Sequence, residues 1–220
     1  MGTRRIAIFG GPGSGAIAAQ SIAALAAGGE EIALHGFLND VLPHGTQICG
    51  APVLGPFAGW RDLPNDVAFL APLHKADDMP MRVEIVRRLG IPDERWATVV
   101  DPRTAIAGDA AIGRGCFVGP FATVGPGARL GMHCVVRGGA HVSHDCRIGD
   151  FVFVGANAVV CGFAAVQYGA YIAPNATIRD RCQVGTFAVV GLGSVVVKDL
   201  PDFVVAAGTP AQHVGDVARR

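Results

Sequence analysis

The chain has 220 residues, which is room for one large domain or two modest ones. Its 18 basic and 18 acidic residues cancel to a formal net charge of zero, which argues against a nucleic-acid binder that relies on a basic surface. Only 7% of the residues are aromatic, while 31 are glycine, a composition that favours a chain with many tight corners.

The first hundred residues predict alternating strands and helices. A strand, a glycine-rich turn, an Ala-rich helix and a second strand follow one another, which is typical of a βαβ unit. The N-terminus enters a strand pattern directly instead of a signal peptide, so we expect a cytoplasmic protein. In chain order the predicted segments are Arg4–Phe9 (strand), Gly10–Gly15 (turn), Ala16–Ala27 (helix), Glu31–Phe37 (strand), Val67–Leu70 (strand) and Met79–Leu89 (helix).

The glycine-rich turn predicts an anion site, because backbone N–H groups converge there and a helix N-terminus favours negative charge. Asn39 and Asp40 follow the second strand, where a carboxylate can hydrogen-bond a ribose or a base. The glycine pattern alone is weak, and a structural turn without a ligand is the alternative. An NAD site is disfavoured because a segment of about 100 residues has no second half for a dinucleotide.

The linker is expected at Trp96 to Thr104, dividing the chain into a domain of residues 1–100 and a domain of residues 101–220. From Ala105 to Ser194 the sequence forms fifteen consecutive hexads without insertion. The second position is always Ile, Val or Leu, the sixth is Ala, Cys or Ser except at Val152, and the third is Gly in eight hexads. This period predicts a parallel β-helix in which three hexads make one turn, so residues 18 apart stack. We expect the small sixth residues to point inward and the third-position glycines to supply unusual φ/ψ angles.

Cysteine usage favours free thiols. Four of the six cysteines occupy the sixth position, where Ala is usual, so they are interpreted as small buried hydrophobes in a reducing compartment. These four are Cys116, Cys134, Cys146 and Cys182.

A charge-free run lies between Asp150 and Arg179 and is long enough to span a bilayer. It keeps the hexad register throughout and contains Asn157 and Pro174. We therefore expect coil interior and a subunit contact there, not a membrane helix.

His144 and Asp145 are the candidate catalytic residues from the pattern alone. They hold the fourth and fifth hexad positions, so neither points into the coil, and a surface histidine is by default solvated and inert. One turn further on stands Gly162, which suggests a gap for a substrate beside the ring. A histidine with a near-neutral pKa can accept a proton from an attacking group, and Asp145 would orient the ring.

His141 is a rival, because it could pack along a subunit face. The spacing of His141, His144, Asp145 and Cys146 also suggests a metal site. That site is disfavoured because the sixth-position Cys146 is expected to point inward.

Taken together, the motifs resemble the bacterial hexapeptide-repeat acetyltransferases that acetylate amino sugars carried on a nucleotide. This group includes the N-acetyltransferases of the bacillosamine and perosamine pathways and the sialic acid O-acetyltransferases. The resemblance covers nearly the whole chain and is specific only in combination. It rests on Ile8–Gly15, Phe37–Asp40, Gly50–Gly55, His144–Phe151, Val154–Ala156 and Gly208–Ala211.

The resemblance implies an α/β N-terminal βαβ (Rossmann-like) domain followed by a left-handed parallel β-helix of hexapeptide repeats. It further implies a homotrimer with acetyl-CoA between neighbouring coils, His144 as general base, Asp145 as its helper, and no metal. The implied sugar-nucleotide contacts are Pro12, Gly13, Ser14, Asn39, Asp40, Pro72 and Leu73. The implied acetyl-CoA contacts are Phe153, Gly162, Ala173, Pro174, Gly191, Leu192, Lys198 and Pro210.

Three residues depart from the family pattern. Phe153 stands where relatives often have a second histidine near the thioester. Arg137 begins a stretch that usually contains Asn, which affects contacts to the acceptor sugar. Gln212 follows the terminal Pro-Ala where Lys or Arg is common, which affects a CoA phosphate contact.

The sequence therefore predicts an acetyl-CoA-dependent N-acetyltransferase acting on a GDP- or UDP-linked 4-amino-4,6-dideoxyhexose. One alternative is O-acetyl transfer to a sugar hydroxyl. A second is a zinc lyase of the carbonic-anhydrase type, which would need His133, His141 and His144 to converge across a subunit interface. A third is a sugar-nucleotide-binding trimer without catalysis.

Overall fold

The computed structural model describes residues 2–219, and its N-terminal part is a five-stranded sheet with helices. The sheet has the order β3-β4-β2-β1-β5, and β1 runs parallel to both neighbours. The first strand, the first helix and the second strand form the expected βαβ unit. The elements are β1 (Arg4–Phe9), α1 (Ser14–Ala27), β2 (Ile32–Leu38), β3 (Gln47–Ile48), β4 (Ala51–Gly55), β5 (Val67–Leu70) and α2 (Met79–Arg88), with short 3-10 helices at Phe57–Asp62 and Asp93–Arg95.

The central strand β1 is buried on both faces, as expected for a parallel strand covered on two sides. Ile6 and Ile8 face a cluster that includes residues of α1. Ala7 and Phe9 point to the opposite face, where Phe9 packs against Trp96. The alternation follows from the two-residue period of a strand.

The remaining chain is a three-sided coil of two-residue strands joined by tight turns. We call its sides the first, second and third face, in the order in which the chain visits them. The first face holds Val99–Val100, Phe117–Val118, Val135–Val136, Phe153–Val154, Tyr171–Ile172 and Val189–Val190, extended by Val204–Gly208 and Ala211–Asp216. The second face holds Ala105–Ile106, Thr123–Val124, His141–Val142, Val159–Val160, Thr177–Ile178 and Val195–Val196. The third face holds Ala111–Ile112, Arg129–Leu130, Arg147–Ile148, Ala165–Val166 and Gln183–Val184.

The predicted stacking period is confirmed by the strand register. Thr123 pairs with His141 and His141 with Val159, each 18 residues further along the chain. The second-position side chains are buried from Val118 onward, while Ile106 stays 36% exposed at the open end of the coil. Buried Val, Ile and Leu columns are what hold the turns together.

The third-position glycines serve a different purpose from the one predicted. Their φ angles are ordinary, and positive φ occurs at the fifth position instead, for example 56° at Asp145 and 68° at Gly127. A Cβ at the third-position Gly125 would lie 2.8 Å from the backbone N of His144. Glycine is therefore needed at the third position because successive turns approach too closely for a side chain, not because of its φ/ψ freedom.

The sixth-position cysteines are buried, as predicted: Cys116, Cys134 and Cys146 are fully covered and Cys182 nearly so. All six cysteines are free thiols. Burial raises the pKa of the Cys146 thiol to about 11. Such thiols behave as small apolar side chains.

The predicted linker at Trp96 to Thr104 is wrong, because these residues are part of the packed structure. Trp96 is buried and forms an isolated β-bridge with Phe69 of β5. Val99 pairs with Phe117 in the first face. The coil therefore begins one hexad earlier than predicted. That hexad has Asp101, Pro102 and Thr104 where glycine or alanine is usual, which hid it from the repeat pattern.

Helix α1 is joined to this first hexad by a buried carboxylate. Ser21 Oγ donates to Asp101 Oδ2 at 2.7 Å, and Arg103 contacts both carboxylate oxygens at 2.8 Å. Hydrogen bonds from Arg103 and Ser21 lower the pKa of Asp101 to about 2. The apolar cluster of α1 also includes Val99, Phe117 and Phe153, so the N-terminal part rests on the first face.

The charge-free run forms five short strands of the coil and contains no helix. Among residues 2–219, no helix combines the length and the apolar character needed to cross a membrane.

Candidate functional site

We use the names first corner, second corner and third corner for the turns that follow the first, second and third face. His144 and Asp145 lie on the second corner, directly after the strand His141–Val142. His144 Nδ1 is 3.0 Å from Asp145 Oδ2, and both side chains are about half exposed (51% and 50%). If Nδ1 carries the proton and donates it to the carboxylate, Nε2 keeps a free lone pair. The pair therefore has the arrangement of a general base and its orienting acid.

The imidazole ring of His144 occupies the space over Gly162 that the sequence suggested for a substrate. A Cβ at Gly162 would lie 2.5 Å from Nε2 and 2.6 Å from Cε1 of His144. The sequence correctly placed Gly162 one turn beyond His144, but the gap above this glycine holds the imidazole instead of a substrate. Phe163 packs edge-on against the ring at a centroid distance of 5.1 Å and limits its movement.

A cavity of about 400 Å³ opens beside Asp145 and continues onto the third face. Its walls are contributed by the coil alone: Gly127, Arg129, Asp145, Arg147, Phe163 and Ala165. The N-terminal sheet contributes nothing to this cavity among the residues described. Within one chain, His144 and the predicted nucleotide contacts thus belong to different sites.

A second cavity, of about 200 Å³, lies at the glycine-rich turn. We call it the N-terminal pocket. Four predicted sugar-nucleotide contacts line it, namely Pro12, Ser14, Pro72 and Leu73, together with Phe9, Gly10, Gly11, Gly15, His74 and Arg82. Gly13, with φ of 89°, precedes the first residue of α1 and sets the turn.

Asn39 and Asp40 shape the loops beside this pocket. Asn39 Nδ2 donates to the carbonyl oxygen of Gly10 at 3.0 Å, and its Oδ1 accepts from the backbone N–H groups of Val41 and Leu42. Asp40 Oδ1 accepts from the backbone N–H of Phe57 at 2.7 Å. Asn39 therefore fixes the glycine-rich turn, while Asp40 is exposed and keeps its second oxygen available.

His74, Arg82 and Arg137 belong to this region. Sequence reasoning missed His74 and Arg82, and it linked Arg137 only to contacts with the acceptor sugar. Arg137 Nη1 donates to Ser14 Oγ at 2.6 Å, and Ser14 Oγ lies 3.4 Å from His74 Nε2. His74 Nδ1 is 3.2 Å from the carbonyl oxygen of Pro72, so it can donate there. Burial, followed by the charges of Arg137 and Arg82, lowers the pKa of His74 to about 4. The ring is therefore neutral at neutral pH.

The predicted acetyl-CoA contacts are divided between two corners of the coil. Gly162 and Lys198 lie on the second corner with His144, as their spacing from it requires. On the first corner, Ala173 is 18 residues before Gly191 and Pro174 is 18 residues before Leu192, so each pair stacks. Leu192 is 75% exposed, and the exposed Pro210 follows in the terminal hairpin. Because the second face separates these corners, one chain does not bring the two sets together.

Phe153 lies on the first face and is covered. Its ring stacks on His74 at 3.9 Å and on Tyr171 at 4.4 Å, with 3% exposure. In one chain it therefore neighbours the N-terminal pocket, not His144.

The three coil histidines lie in three different environments. His133 is buried on the third corner between Trp96 and Phe151, and His141 lies on the second face with its Nδ1 hydrogen-bonded to Thr123 Oγ1. Among residues 2–219, no three His, Cys, Asp or Glu side chains are arranged to hold a metal ion. The convergence that a zinc lyase needs is not present within a single chain.

No family model matches the sequence, and no curated protein matches it either. Solved structures do match it. The acetyltransferase domain of PglB from Neisseria gonorrhoeae in complex with acetyl coenzyme A has a TM-score of 0.83 and 29% identity, covering 97% of this chain and 100% of that one. PerB from Caulobacter crescentus in complex with CoA and GDP-perosamine has a TM-score of 0.78 and 25% identity, covering 96% and 97%. WeeI from Acinetobacter baumannii has a TM-score of 0.77 and 26% identity, covering 95% and 99%.

These likenesses confirm the predicted resemblance and the predicted left-handed parallel β-helix. They extend over nearly the full length of both chains, so the whole architecture is shared and not only the repeat. The chain is therefore an acyltransferase similar to the bacterial sugar acetyltransferases of the hexapeptide-repeat family.

Proposed function

We propose that this chain transfers the acetyl group of acetyl-CoA to the amino group of a nucleotide-linked 4-amino-4,6-dideoxyhexose. The His144–Asp145 pair carries this proposal, because it provides a base with an oriented ring on an exposed corner. The neighbours solved with acetyl-CoA or with CoA and GDP-perosamine support the two substrate classes. In this proposal residues 1–100 hold the nucleotide sugar, and residues 101–220 hold acetyl-CoA and the base.

The proposed reaction is a direct acyl transfer. The sugar amine attacks the thioester carbonyl carbon, the C–S bond breaks, and CoA leaves as the thiolate. His144 Nε2 accepts the proton that the amine loses and passes it to the CoA thiolate, and Asp145 stabilises the imidazolium in between. A backbone N–H of the coil would stabilise the oxyanion.

We further propose that two copies of the chain build each site within a homotrimer. The first corner carries a single column in which Arg137, Gly155, Ala173 and Gly191 follow one another at 18-residue steps. The N-terminal pocket meets this column at Arg137, through Ser14. The candidate acetyl-CoA contacts occupy its other end, so the two substrates would meet near Gly155.

Along the chain His144 follows Arg137 by 7 residues and precedes Gly155 by 11, so its level on the coil lies between theirs. In a trimer with its symmetry axis along the coils, corresponding turns lie at the same level. The second corner of one chain would then bring His144 to the place where the substrates meet on the first corner of its neighbour. Exposed apolar side chains on both corners, Phe163 on the second and Leu192 on the first, are consistent with such a contact.

The proposed function is tested by incubating the purified protein with acetyl-CoA and a panel of GDP- and UDP-linked amino sugars. We expect CoA release together with a product heavier by one acetyl group. An amide product survives mild alkali, whereas an ester is hydrolysed, so alkali treatment separates N-acetyl from O-acetyl transfer. Absence of acetyl transfer to every amino sugar in the panel would refute the proposal.

A further inference from the structure

The residues that line the N-terminal pocket include a cation and no acidic side chain. The first turn of α1 contains no acidic residue either. The N-terminus of α1 also has no side-chain cap, so its partial positive charge faces the pocket uncompensated. The guanidinium Nε of Arg82 is buried there and has no hydrogen-bond partner among the described residues.

Arg137 adds a second cation from the coil. Its side chain donates to Ser14 Oγ, a neutral acceptor, and within residues 2–219 it forms no ion pair with a carboxylate. Burial lowers the pKa of this guanidinium, although it stays charged at neutral pH. Burying a guanidinium that is hydrogen-bonded only to a hydroxyl costs free energy. An anion that accepts hydrogen bonds from the remaining N–H groups would offset this cost.

His74 does not add to this charge. Its two ring nitrogens are engaged by Ser14 and by the carbonyl oxygen of Pro72, and its ring stacks on Phe153. The ring is neutral at neutral pH because burial, followed by the charges of Arg137 and Arg82, lowers its pKa to about 4. Arg82 in the pocket, Arg137 bonded to Ser14 at its border and the N-terminus of α1 therefore combine two guanidinium charges with a helix dipole, which matches a ligand with two negative charges.

We infer that Arg82 and Arg137 bind the diphosphate of the nucleotide-linked sugar, with Arg82 contacting it from α2 and Arg137 from the coil. This inference rests on the proposed function and names two of its substrate-positioning residues. The nucleoside would extend toward Asn39 and Asp40, and the sugar would extend along the first corner toward Gly155. Arg137, at the junction, would contact the phosphate that carries the sugar. Arg137, which departs from the family pattern, would thus position the substrate through this phosphate.

The test is isothermal titration calorimetry with inorganic pyrophosphate, GDP, UDP, guanosine and uridine. We expect the diphosphates to bind and the nucleosides to bind far more weakly. Arg137→Gln and Arg82→Gln should each raise the Kd for GDP or UDP by about 10- to 100-fold, the range for hydrogen bonds to charged groups. Arg88→Gln is the matched control, because Arg88 lies on α2 but is paired with Glu84 on the exposed side.

A purely structural role for Arg137 is separated by Ser14→Ala, which removes its hydrogen-bond acceptor but keeps its charge. Ser14 lines the pocket itself, so Ser14→Ala should weaken diphosphate binding, but by less than Arg137→Gln. An equal loss in both variants would indicate a purely structural role for Arg137. Equal Kd values for GDP and guanosine, or wild-type GDP binding by Arg137→Gln, would overturn the inference. Failure of the proposed function would be seen separately, as an absence of acetyl transfer by a protein that still binds diphosphates through both arginines.

Discussion

The imidazole of His144 lies directly over Gly162, one turn further along the coil, at a distance that leaves no room for a Cβ. Gly162 has no positive φ, so an alanine there meets no backbone strain. The three heavy atoms nearest to its methyl group would all belong to the His144 ring, at 2.5 to 3.2 Å. The absence of a side chain at residue 162 therefore allows the imidazole of the proposed base to adopt this position.

Gly162→Ala should displace the His144 ring and lower kcat by up to about 10²-fold, the loss that a misplacement of about 1 Å can cause. The KM for acetyl-CoA should change little, because the first contact of the new methyl is with the imidazole. Steady-state kinetics with both substrates measures this. Gly108→Ala is the control, since Gly108 lies two turns earlier in the same column and a Cβ there meets nothing within 4 Å.

The opposite kinetic pattern would count against this role. A raised KM for acetyl-CoA with unchanged kcat would mean that Gly162 forms the wall of the acetyl-CoA cleft, as the sequence alone suggested.

The stacking of His144 over Gly162 was predictable because the repeat has a constant length. An uninterrupted period fixes which residues lie one turn apart, and β1 and β5 matched their predicted bounds because short apolar runs define them. The direction of the ring was not predictable, because a repeat gives the position of a side chain but not its rotamer.

Contacts between distant segments left no signal in the sequence. Ser21 and Asp101 are 80 residues apart, and Ser14 and Arg137 are 123 apart. Neither pair belongs to a periodic pattern, so the packing of the N-terminal part on the first face was missed and its junction was interpreted as a linker. The same reason hid Arg82 and His74 as parts of the pocket.

Replacing His144 by Asn should lower turnover with little change in either KM. Removal of a general base costs about 10²- to 10⁴-fold in rate, and we expect the lower end. A sugar amine is partly deprotonated at mildly alkaline pH, so the defect should shrink as the pH rises. The pH dependence of kcat for wild type and His144→Asn measures this.

The size of that defect also identifies the acceptor. A hydroxyl is not appreciably ionised at such pH and must lose its proton during attack. A loss beyond about 10⁴-fold at every pH would indicate a hydroxyl acceptor and contradict N-acetyl transfer.

Asp40→Asn should raise the KM for the sugar nucleotide and leave the KM for acetyl-CoA almost unchanged. Asn keeps an oxygen for the backbone N–H of Phe57, which Asp40 accepts in the structure, but it lacks the charge. Asp40→Ala removes both and should have the larger effect. If either variant changes both Michaelis constants equally, the nucleotide site lies elsewhere.

His133→Phe should reduce the loss of stability in mild acid. His133 is 9% exposed between Trp96 and Phe151, and burial lowers its pKa from 6.5 to about 4. The unfolded chain therefore binds a proton more readily between these pH values, so stability present above pH 6.5 is lost as the pH falls toward 4. Between pH 7 and pH 5, protonation linked to His133 should lower the free energy of unfolding of the wild type by about 2 kcal/mol.

Urea unfolding of wild type and His133→Phe at both pH values measures that difference. Phenylalanine fits the backbone, because Phe151 and Phe163 occupy the equivalent fifth position with positive φ. His74, whose pKa is also about 4, remains in the variant, so some acid sensitivity should persist. An unchanged acid loss in His133→Phe would contradict the assignment.

Two inactive variants should restore activity to each other if each site is shared between copies. His144→Asn lacks the base, and Ser14→Trp fills the N-terminal pocket, so homotrimers of either variant should be inactive. In trimers that contain both variants, about one third of the sites would combine an intact base with an intact pocket from the neighbouring chain. Co-expression of the two variants with different affinity tags, purification through both tags and assay of acetyl transfer measures the recovery. Sites built within one chain would instead give no activity in any mixture, because every chain carries one defect.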